Sequence, residues 1–220
     1  MKLWQRVLMV GSSSLSVLGA VIAMHALWLP TKAWLAHELI GISWQHYRET
    51  GQPLKPWPWA DTTAAAQLSF LRLEEDIVVL SNADATSLAF SAGMIAPFNR
   101  VDGESTIAIA GHQDTHFRLL ANIKVGDEIK LTTADGQERY YQIYGSEIVE
   151  QSAMLSIAPS QGGLVLVTCY PFSNLTNLTS LTSDSPLASV EPASERLLVY
   201  ALPVYKQPVY QPPVKQTFGY

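Results

Sequence analysis

The chain has one cysteine in 220 residues. A lone thiol excludes an internal disulfide, and without a Cys-x-x-Cys pair dithiol redox chemistry is disfavoured. Positive charge is scarce as well: 14 Lys and Arg against 19 Asp and Glu leave a formal net charge of −5, so there is no basic footprint and no nucleic-acid partner is expected. Charge is missing altogether from Val7 to Thr31. These 25 residues, at about 1.5 Å each, make a helix of about 37 Å, enough for a hydrocarbon core of about 30 Å. The run is longer than the apolar part of a signal peptide and no Ala-x-Ala pattern follows it, so the expectation is an uncleaved anchor over 7–31, although Ser12, Ser13 and Ser14 make it less apolar. Trp28 and Trp34 suit the far interface, and Lys2 and Arg6 put residues 1–6 in the cytoplasm and the rest of the chain outside.

Beyond the anchor about 170 residues remain, the size of one domain. Leu35, Leu39, Ile42 and His46 recur at helical spacing, so 32–54 reads as a stalk helix and linker, ended by Gly51, Pro53, Pro56 and Pro58. The pattern then turns strand-like. Runs rich in β-branched and aromatic residues predict strands near 68–73, 76–80, 88–90, 105–110, 127–132, 139–150, 162–169 and 195–202, separated by turn signals such as Asp135-Gly136. Eight short strands at this spacing predict a mainly β domain, a closed or nearly closed barrel with short helices, over 55–204. Residues 151–161 and 170–194 are long loops on either side of one strand and are candidate substrate walls. The tail, 205–220, continues a Pro-Val-Tyr repeat and reads as extended and flexible.

The cysteine itself, Cys169, ends the apolar run Leu164-Val165-Leu166-Val167-Thr168 and is followed by Tyr170-Pro171-Phe172. A lone cysteine on such a strand is by base rate a small core residue. A thiol nucleophile also needs a proton donor for the leaving amine and a cation or dipole for the developing oxyanion. His112, directly after the strand ending at Gly111, and Arg196, at the start of an otherwise apolar strand, supply one candidate for each, and all three stand at strand ends. His116 is the competitor for His112 but stands in a loop, where it is held less rigidly. Asp114 either orients His112 or caps the turn. Thr168, Val167 and Tyr170 flank the thiol and are candidate substrate contacts, with simple core packing as the alternative for Thr168. His112 and His116 lack a third ligand at suitable spacing, so neither a metal nor another cofactor is expected.

Taken together these blocks resemble the sortases, membrane-anchored cysteine transpeptidases. Gly111-His112-Gln113-Asp114-Thr115-His116-Phe117, with Leu120, Ile123 and Gly126-Asp127 after it, is similar to the family's histidine block. Val165 to Cys169 resembles its Thr-Leu-x-Thr-Cys block, with Val165 where the family usually has Thr, and Glu195-Arg196-Leu197 resembles its arginine strand. Lys55-Pro-Trp-Pro-Trp-Ala-Asp61 and Cys169-Tyr-Pro-Phe172 are similar to the Gram-negative, proteobacterial branch. The resemblance implies an eight-stranded sortase barrel facing the periplasm. In it Cys169 cleaves an LPxTG-like C-terminal sorting signal of a protein substrate through a thioacyl intermediate, resolved by an amine acceptor. His112 would act as acid and then base, while Arg196 would stabilise the oxyanion. The alternatives are a hydrolytic thiol protease of the same fold and a membrane-tethered barrel that binds without chemistry.

Overall fold

The computed structural model describes residues 3–101, 105–150, 162–172 and 195–204, apart from a number of helix side chains before Lys32. The expected substrate walls and the tail lie almost wholly outside the described residues. A helix, α1 (Leu3–Thr50), leads into eight strands: β1 (Ala64–Phe70), β2 (Glu75–Leu80), β3 (Ala92–Met94), β4 (Ile107–Ala110), β5 (Glu128–Thr133), β6 (Glu138–Glu150), β7 (Leu164–Tyr170) and β8 (Glu195–Val204). A short helix, α2 (Ala85–Leu88), precedes β3, and a 3-10 turn spans Arg118–Asn122.

The strands close into a barrel in the order β1-β2-β3-β4-β7-β8-β6-β5. Closure leaves no open sheet edge. Most neighbours are antiparallel, while β2 with β3 and β4 with β7 run parallel. Period-two alternation sorts each strand into two faces. Leu164 and Leu166 of β7, Ile107 and Ile109 of β4, and Leu197, Val199 and Ala201 of β8 point into a core shared with Leu68, Leu131 and Tyr141. Ala108, Val165, Val167 and Leu198 lie on the opposite face and pack with Ile95, Phe98 and Tyr200.

Several expectations shift. The predicted strand at 88–90 is not one: Asp84 accepts a hydrogen bond from the Ser87 backbone N–H (2.8 Å), capping α2, and the strand begins only at Ala92. Conversely, β1 starts at Ala64, where three alanines of low strand propensity are held by pairing with β2 on one side and β5 on the other. Gly136, with φ of +82°, makes the β5–β6 turn at the expected Asp-Gly pair.

The segments expected as anchor and stalk form one unbroken helix. Its last third does not stand free: Ala36, Ile40, Ser43 and Trp44 are buried, and the Trp44 indole donates to Gln67 of β1 (3.0 Å). The chain then folds back along α1, Ser43 donating to the Leu54 carbonyl, and Trp57 meets Phe90 edge-on at 5.0 Å. Among the described residues no helix is long and apolar enough to cross a membrane. For the expected 7–31 anchor the structure supplies a helix and no more, since many of its side chains are outside the described residues.

Candidate active site

The antiparallel register of β7 and β8 sets Cys169 directly opposite Arg196. Directly paired residues share a face. On β7 that face already carries Val165 and Val167, and on β8 it carries Leu198 and Tyr200. Cys169 is half-buried. The Arg196 Nε is fully buried and has no hydrogen-bond partner among the described residues. A buried guanidinium N–H without a partner is costly, and here it sits beside the thiol.

His112 arrives from the other side of β7. Ala110 of β4 pairs with Val167, so two residues further along each parallel strand His112 comes level with Cys169. Four contacts hold it there. The Gly111 N–H donates to the Val167 carbonyl (3.1 Å), the Thr168 hydroxyl donates to the Gly111 carbonyl (2.8 Å), and the Phe117 N–H donates to the His112 carbonyl (3.0 Å). The Phe117 ring, fully buried, lies flat enough against Gly111 that a Cβ at that position would stand 2.7 Å from it. Only glycine allows the close approach.

The register therefore sets Cys169, Arg196 and Val167 on one outer face of β7 and β8, with the exposed His112, two positions past the end of β4, level with Cys169. Thr168 and Tyr170 take the alternate positions. Thr168 is buried with its hydroxyl committed to Gly111, and Tyr170 packs against the barrel core with Phe172 at 6.2 Å. Asp114 is exposed on the turn after His112. The positioning roles of Gly111 and Phe117 are not read from the sequence, although Gly-His and a phenylalanine five residues on were visible signals. His116 is half-buried beneath the turn. Burial pushes its pKa below the ordinary value, His37 of α1 and His112 push the same way, and a hydrogen bond to the Phe90 carbonyl opposes them. Among the described residues no group of three or more His, Cys, Asp or Glu side chains is placed to hold a metal ion.

Comparison with known proteins decides what this geometry belongs to. The sortase domain model matches residues 71–183, which is 113 of the 220 residues and includes both His112 and Cys169. The chain belongs to the sortase family. It is 28% identical over 116 residues to sortase D of Bacillus subtilis (strain 168), a match covering 52% of this chain and 58% of that protein. The chain thus spans less than two thirds of that relative. In fold this sortase is similar to sortase A from Corynebacterium diphtheriae (TM-score 0.55, 22% identity, 74% of this chain and 71% of that one). It is also similar to sortase C1 from Streptococcus agalactiae (TM-score 0.51, 19% identity, 65% and 69%). These likenesses extend to the closed, mainly β barrel.

Proposed function

We propose that this sortase is a membrane-anchored cysteine transpeptidase of the proteobacterial branch. Residues 7–31 cross the inner membrane, 1–6 lie in the cytoplasm and the barrel faces the periplasm. Its substrate is a protein with an LPxTG-like C-terminal sorting signal. Cys169 attacks the carbonyl of the scissile bond, and the carbon–nitrogen bond breaks as His112 gives a proton to the leaving amine. The thioacyl intermediate is then attacked by an acceptor amine, whose proton passes to His112 as the Cys169 sulfur leaves. Arg196 stays protonated throughout and stabilises the oxyanion.

The observation that carries this reading is Arg196 set opposite Cys169 with a buried N–H that has no partner among the described residues. A guanidinium donor left open at the thiol suits an oxygen that arrives only with substrate.

The test is intact-mass spectrometry on the full chain in detergent, because a fragment starting at Arg48 would lose Ala36, Ile40 and Trp44, which are buried against the folded domain. The protein is incubated with Leu-Pro-x-Thr-type peptides, with and without hydroxylamine, beside Cys169→Ala. The expected result is an acyl adduct on the wild type alone, released by hydroxylamine as hydroxamate. Release to water in preference to amines would make it a hydrolase, and no adduct across a broad peptide panel would leave a binding barrel.

A further inference from the structure

The barrel is fixed to α1 close to the end of the proposed anchor. Thr31 is still helical, its hydroxyl bonded to the Leu27 carbonyl (2.7 Å), and Ala36 is already buried against the folded domain. They are five positions apart, about 7.5 Å of helix with no glycine or proline between. A domain bolted to a spanning helix so near the bilayer cannot stand away from it.

The surface at this end has the composition of a membrane interface. Trp28, Trp34 and Trp59 are 61, 63 and 80% exposed, and Leu35 is 49% exposed. The Lys32 ammonium folds back over the Trp28 ring at 5.5 Å, so the cation and the aromatic lie at one depth. Between α1 and the Trp57–Asp61 loop lies a largely apolar cavity of about 480 Å³, lined by Lys32, Leu35, Leu39, Trp59, Thr86 and Phe90. A monomer in water rarely shows so much tryptophan on one end, whereas interfacial lipid favours it.

We propose that this end of the barrel, Trp59 with the 84–90 segment, rests in the interfacial layer of the bilayer, so that α1 fixes the height of the active site. The proposal rests on the 7–31 anchor. The loop carrying His112 and His116 faces His37, six residues beyond Thr31, which sets it about 9 Å along the helix from the anchor's end. The opposite side of the domain is higher: Gln137 shares a cavity with Tyr47 and Gly51 near the end of α1, about 18 to 24 Å further along the helix than Leu35.

The test uses the full chain with Cys169→Ala, reconstituted in phosphatidylethanolamine and phosphatidylglycerol vesicles. A nitroxide is attached to a single cysteine introduced by Val21→Cys, Trp59→Cys, Thr86→Cys or Gln137→Cys. Thr86→Cys reads the same cavity wall with Trp59 in place. Collision rates with oxygen and with a water-soluble nickel chelate report depth. The expected result is a label in hydrocarbon at 21, and at 59 and 86 a several-fold slower collision with the chelate than at 137. If 21 lies in hydrocarbon while 59 and 86 meet the chelate as freely as 137, the docking is overturned. If 21 itself meets the chelate freely, the anchor fails first and takes this proposal with it.

Discussion

Strand β7 carries two faces that treat polar groups in opposite ways. Its inner face, Leu164, Leu166, Thr168 and Tyr170, belongs to the barrel core, and the buried Thr168 hydroxyl is satisfied by the Gly111 carbonyl. Its outer face, Val165, Val167 and Cys169, meets Arg196 across β8, whose Nε has no partner among the described residues. Thr168 secures the Gly-His turn, whereas Arg196 is left with bonding capacity for something outside the described chain. Adjacent residues thus divide the labour: the inward threonine holds the Gly111 carbonyl beside His112, and the outward cysteine and arginine are the pair proposed to react and bind.

That division can be broken one residue at a time. Cys169→Ala is expected to remove turnover and the acyl adduct completely while leaving thermal unfolding within about 0.5 kcal/mol, measured by mass spectrometry and denaturant melts. Arg196→Lys should lower kcat by about 10²-fold or more, since a point charge does not replace a planar fork aimed at an oxyanion; near-normal kcat would assign the oxyanion to another donor. On the inner face, Thr168→Val is expected to cost about 1–3 kcal/mol of stability, because the Gly111 carbonyl is left buried and unpaired. It should lower kcat more than it raises KM. Gly111→Ala should cost a similar 1–3 kcal/mol through overpacking against Phe117, with partial recovery when combined with Phe117→Leu.

The smallest effect concerns pH. A depressed His116 pKa means that the folded state binds a proton less readily than the unfolded state. The associated stability is therefore present above the unfolded value of about 6.5 and is lost as pH falls through it. His116→Gln should flatten that acid limb of the stability curve below about pH 6.5, and an unchanged limb would place the titrating group elsewhere.

Much of the site was legible because it is built on strand ends. A run of β-branched and leucine residues broken by Pro171 marks the end of β7, and the same logic located His112 and Arg196. Period two also separates the faces, so Val167 and Cys169 were already apart from Thr168 in the pattern, although the three flanking residues Val167, Thr168 and Tyr170 read as one substrate set. What the pattern does not reveal is contact across the chain. Phe117 against Gly111, Trp44 on Gln67 and His116 beside His37 join residues far apart or across a turn, and no local propensity encodes them. The missed α2 has a local cause: Asp84 competes for the backbone where hydrophobicity alone suggested a strand.

By itself the sequence determined the class of fold and raised the expectation of thiol chemistry. One cysteine, one histidine and one arginine at strand ends, with strand-period runs between turns, leave a β barrel bearing a thiol as the consistent reading. The tertiary structure alone decided the register of β7 between β4 and β8, and with it that Cys169 meets Arg196 and comes level with His112. It also decided that α1 lies against the barrel. Both are matters of long-range pairing, where a shift of one residue would turn every side chain to the other face, and only the packed core selects which register is made.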